Sequence, residues 1–195
     1  MAVLPGMSTH LAEPAVQPTP DYDELYALLP DADGIPAAGP VGPLDMPSPY
    51  RSLLVHNHHM TVTVEQFYGD RVNVRVLETR VDGDDYSRKI LLTLAGSGKV
   101  VQFGIVRIDL AQLAPLVREQ IVAGQTPLGR VLIQNDVLRQ VRPTGFVKVT
   151  PNAAMREWFH AAGDEALYGR LGVIDTDGRP AIEVLEILAP IVELT

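Results

Sequence analysis

Four kinds of residue in this sequence invite a chemical reading. The run Ala181–Ala189 is apolar except for Glu183 and Glu186. In a strand these two carboxylates, three residues apart, point to opposite faces, so one meets solvent and the other the interior. A buried carboxylate needs a cation, a donor or a job, and without one its pKa rises. Arg88 opens a second apolar run, Ile90-Leu91-Leu92, beside Lys89. Spacing alone favours the solvated face for Arg88. Turned inward, its planar fork would suit a carboxylate, and with Glu186 it would give a pocket one cationic and one acidic end. Tyr168-Gly169-Arg170 carries a second arginine able to pair with a carboxylate or a ligand. Three of the five histidines, His56, His58 and His59, cluster before Met60. His-x-His with no Cys and no nearby acid to complete the set is a weak metal pattern, so no metal is expected.

These residues need elements to place them. Leu167–Pro190 reads as a hairpin around Asp175-Thr176-Asp177-Gly178, the Asp-Gly pair supplying the positive φ of a tight turn. Thr61–Phe67, Arg71–Val81, Ser87–Leu94 and Val100–Asp109 are β-branched-rich runs with short breaks, which imply antiparallel neighbours. Val72, Val74 and Val76 alternate with Arg71, Asn73 and Arg75, one face buried and one wet. Leu110–Ala123 has helical spacing, with Asp109 as cap and Gly124 at its end. Thr126-Pro127-Leu128-Gly129 looks like a turn. Residues 137–150 read as a strand interrupted at Pro143 and Gly145, and Pro151–Ala161 as a short helix. Strands with inserted helices and no βαβ rhythm predict an α+β fold with one antiparallel sheet.

Ten of the 16 prolines lie in residues 1–49, which marks that stretch as a proline-rich extension with one helix over 21–29 and an irregular linker over 30–49. The domain proper is then 50–195. The absence of cysteine excludes disulfides and thiolate metal sites. A net charge of −8 argues against nucleic acid as a partner. No basic-then-apolar leader opens the chain and no run is long enough to span a membrane, so a cytoplasmic protein without a membrane partner is expected. Nothing in the pattern sets an oligomeric state. No GxSxG, GxGxxG, P-loop or HExxH motif gives hydrolase or nucleotide chemistry a starting point.

Taken in order, Arg51-Ser52-Leu53-Leu54, Met60-Thr61 leading to Glu65, Ser87–Leu92, Thr126–Leu132, Tyr168-Gly169-Arg170 and Glu186–Pro190 resemble the chorismate pyruvate-lyase family. The triple histidine, residues 143–163 and the proline-rich front fall outside the likeness. The resemblance implies an antiparallel sheet of about six strands, helices on one side and an enclosed ligand pocket. It implies ligand contacts at Met60, Arg88, Leu128 and Glu186, with Arg88 holding the ring carboxylate and Glu186 meeting the 4-hydroxyl end. It also implies a cofactor-free elimination of pyruvate from chorismate to 4-hydroxybenzoate, with Glu186 and Arg88 catalytic; Arg170, by its own position at the start of the hairpin, is expected as a further substrate contact. The alternative is a binding module for a small aromatic or cyclohexadiene carboxylate, since the same fold serves as the effector-binding domain of GntR-type regulators, or an enzyme of another reaction.

Overall fold

The computed structural model describes residues 19–161, 163 and 165–191. Seven strands, β1 Ala38–Pro40, β2 Val72–Asp82, β3 Asp85–Leu94, β4 Val100–Asp109, β5 Arg139–Val149, β6 Leu167–Thr176 and β7 Arg179–Leu188, form a single antiparallel sheet in the order β1-β5-β6-β7-β4-β3-β2. Two three-stranded meanders, β2-β3-β4 and β5-β6-β7, thus meet at the β4–β7 pair. The expected α+β class holds. The terminal hairpin turns at Asp177 and Gly178, whose φ angles are 51° and 79°, and a β-bulge interrupts β5 between Pro143 and Gly145.

Several local readings change. Thr61–Phe67, expected as a strand, lies within helix α3 (Met60–Tyr68). Its run of β-branched residues favours a strand by propensity, but Met60, Thr61 and Val64 are buried at helical spacing, and packing overrides propensity. The expected helix over 110–123 is broken by Pro115: Leu110–Gln112 is one 3-10 turn capped by Asp109, and α4 (Pro115–Ala123) restarts with the proline in its first turn. The turn expected at 126–129 instead launches α5 (Leu128–Gln134). Residues 30–49, read as a linker, contribute β1, which pairs with β5. Short helices α1 (Tyr22–Ala27), α2 (Tyr50–Leu54) and α6 (Ala153–Phe159) complete the set.

Residues paired across the ladders share a face, which sorts the core. Tyr86, Ile90 and Leu92 of β3, Val106 of β4 and Val184 and Leu188 of β7 face α2, α3, α4 and α5. Leu91, Phe103, Ile105, Leu185 and Ile187 face the other way, under α1 and α6. The helices implied on one side are therefore joined by two on the other, and the seventh strand is β1. Covered on both faces and flanked by β2 and β4, β3 has no wet side. Arg88 and Lys89 are accordingly both buried, at 1% and 3% exposure, on opposite faces.

Candidate functional site

Four of the residues singled out from the sequence, Met60, Arg88, Leu128 and Glu186, line one small cavity between the sheet and the N-terminal ends of α3 and α5. The sheet register explains why. Arg88 stands opposite Val106, and Val106 opposite Val184; two residues along, Ile90 stands opposite Gly104, and Gly104 opposite Glu186. All of these share the face covered by α2, α3, α4 and α5. Gly104 brings no side chain to the middle of this floor; a Cβ there would lie 3.4 Å from the Ile90 Cδ1 and the Leu185 carbonyl. The cavity holds about 40 Å³, room for no more than about three waters.

The two ends of the cavity differ in how their charges are balanced. Arg88 donates from one terminal nitrogen to the Ile121 carbonyl at 3.1 Å, while its Nε has no hydrogen-bond partner. No carboxylate among the described residues pairs with it. Burial pushes its pKa down, with the Tyr86 hydroxyl nearby favouring the charged form. Glu186, by contrast, already has a cation. The Arg170 Nε–H donates to Glu186 Oε2 at 2.7 Å, and the same guanidinium donates to the carbonyls of His56 and His58 at 3.0 Å each. Arg170 does not line the cavity. The partner of the partly buried Glu186 is thus Arg170, not Arg88, and Arg170 also ties the histidine loop to the sheet. Glu183, on the opposite face as its spacing implies, accepts from Arg107 Nε at 2.6 Å.

The wall of the cavity is the junction of α3 and α5. A Cβ on Gly129 would lie 3.0 Å from both His59 Cβ and Thr61 Oγ1, so glycine is what lets the two helix starts touch. His59 accepts from Arg139 Nε–H at 2.7 Å. Its pKa is pushed down to about 4, first by burial and then by Arg139, Arg170 and His58, so the ring is neutral. On its far side His59 also lines an open groove of about 660 Å³ with Arg139 and Leu138.

His56, His58 and His59 lie between α2 and α3. The His56 and His58 rings lie 5.5 Å apart, His56 bonds to the Leu53 carbonyl at 2.8 Å, and no group of three metal-binding side chains exists among the described residues. Two features escape the sequence reading. Gln102 lines the cavity, is buried at 3% exposure, and its Oε1 has no partner. The signal that marks Glu186, a polar residue inside an apolar strand, applies equally to Gln102 in Val100–Val106. Arg170 as the partner of Glu186 follows from counting back from the Asp-Gly turn, with the bulge at Ile174/Asp175 setting the two directly opposite.

No family model matches the sequence, and no curated protein matches it either. Solved structures do. PhnF from Mycobacterium smegmatis superposes with a TM-score of 0.54 at 10% identity, over 72% of this chain and 71% of that one. The effector domain of the same protein gives 0.48 at 12% identity, over 68% and 88%. The ligand-binding domain of a GntR-family regulator from Bordetella bronchiseptica gives 0.42 at 14% identity, over 60% and 85%. The α+β fold with its single antiparallel sheet, chorismate lyase-like, is shared with PhnF. This overturns the expected lyase. PhnF, which shares the fold, has a solved effector domain, and Glu186, one of the two residues expected to be catalytic, is engaged by Arg170 at 2.7 Å. No helix among the described residues is long and apolar enough to cross a membrane.

Proposed function

We propose that this chain is a non-catalytic sensor domain that binds a small carboxylate, aromatic or cyclohexadiene in type, with Arg88 as the anion anchor. One observation carries the reading: a guanidinium buried to 1% exposure, with an unpartnered Nε and no carboxylate beside it, facing a cavity. A buried cation of this kind is costly until an anion arrives. PhnF, with which the fold is shared, has a domain described as an effector domain, and that role is carried over here as part of the proposal. Met60 and the main chain at Leu128 form the wall against which the ligand lies, and Glu186 borders its flank, two residues along the ladder from the level of Arg88. A volume of about 40 Å³ is too small for a ring, so binding opens the α3–α5 junction. Met60, unbranched and adaptable, is the side chain best suited to yield.

Isothermal titration of the purified chain with benzoate and 4-hydroxybenzoate tests this. Binding of at least one acid that is lost in Arg88→Met, with no pyruvate released from chorismate, is the expected result. Binding that survives in Arg88→Met would sink the reading.

A further inference from the structure

We infer that Gln102 is a specificity-determining residue that selects a ligand carrying a hydrogen-bond donor at the end remote from its acid group. The inference rests on the sensor reading above and concerns the same cavity.

Two buried polar groups in this cavity lack partners, and they are of opposite kinds. Arg88 Nε is a donor; Gln102 Oε1 is an acceptor. The register separates them. Arg88 pairs with Val106, and Gln102 pairs with Leu92 on one side and Leu188 on the other. Four residues along a strand is roughly 13 Å between Cα levels, and both residues line the one cavity. Glu186, level with Gly104, lies between them. The cavity is therefore cationic at one end and rich in acceptors at the other. Glu186 Oε2 accepts from Arg170 Nε–H, whereas the amide oxygen of Gln102 is fully buried with no partner.

An anion at Arg88 with a hydroxyl or amine at the opposite end satisfies both groups at once. An acid with an apolar far end satisfies only the first and leaves the amide oxygen dry. A dicarboxylate is worse, bringing a second negative charge towards Glu186 with no proton for Gln102. Sites built to hydrogen-bond a ligand donor reject the analogue lacking it because the buried acceptor is stranded.

The test is titration calorimetry on the full chain with 4-hydroxybenzoate, benzoate and 4-fluorobenzoate, the last matching the hydroxyl in size but donating nothing. The wild type is expected to bind the hydroxy acid about tenfold more tightly than either analogue. Gln102→Leu is expected to erase that preference, because the acceptor that benzoate and 4-fluorobenzoate strand is gone. Gln102→Met repeats the measurement should the leucine variant misfold. A preference that persists in both variants, or a wild type that binds all three acids equally, overturns the role of Gln102 and leaves the acid pocket standing. Failure of all three acids to bind the wild type overturns both.

Discussion

Arg88 and Lys89 are neighbours in sequence, both cationic and both buried, yet the protein treats them in opposite ways. Lys89, on the face covered by α1 and α6, is fully provided for. Its Nζ lies 2.8 Å from Asp31 and 3.5 Å from Glu78. Asp31 also accepts from the Tyr26 hydroxyl and, at 3.1 Å, from Asn152 at the cap of α6. On the other face Arg88 has one carbonyl and an idle Nε. The difference separates a charge used to hold the fold from a charge held by the fold. The first is closed among protein groups; the second is left open toward a cavity.

Removing a partner from the closed side is expected to cost most. Asp31→Ala leaves the buried ammonium with only the half-exposed Glu78 at 3.5 Å, and urea denaturation should register a loss of about 3 kcal/mol. Adding Lys89→Met to that variant should restore much of it, because the uncompensated charge goes too. If Asp31→Ala costs less than about 1 kcal/mol, the latch is not what distinguishes the two faces.

The cavity wall responds to pH. His59 titrates near 4 when folded, below its ordinary 6.5, so in that interval the unfolded chain takes up a proton that the folded chain refuses. Stability is therefore level above about pH 6.5, declines as pH falls, and is lower by about 3 kcal/mol below pH 4. His56, also shifted down by burial and Arg170, acts in the same direction. Denaturant midpoints between pH 7 and 4 should show a visibly flatter decline in His59→Gln.

The open side is expected to give the smallest and opposite effect. Arg88→Met removes a desolvated charge that no carboxylate repays, so the ligand-free protein should be unchanged or up to about 1 kcal/mol more stable. A loss of more than about 2 kcal/mol would make Arg88 a structural ion like Lys89.

Much of the sheet is legible in the sequence. β-branched runs, short breaks and the Asp-Gly turn give β2, β3, β4, β6 and β7 within a few residues, and the spacing of Glu183 and Glu186 correctly sends them to opposite faces. What is not legible depends on distant contacts. The α3 segment carries strand-like residues and becomes helical because Met60 and Val64 dock on the sheet. Whether Arg88 faces in or out cannot be read from its own strand, since the answer lies in how β3 is covered by helices from elsewhere. Asp31, 58 residues before Lys89, sits in a stretch whose proline content reads as a linker. Gln102 differs from these, because an amide inside an apolar strand stands out by pattern alone.

The floor of the cavity offers a practical consequence. At Gly104 the sheet presents bare backbone between Ile90 and Glu186, and an added methyl there would touch its neighbours at ordinary contact distance. Gly104→Ala thus offers an occlusion that leaves every charge and every ladder hydrogen bond in place. Such a chain would be blind rather than broken, the control that lets a cellular response be assigned to what the cavity holds.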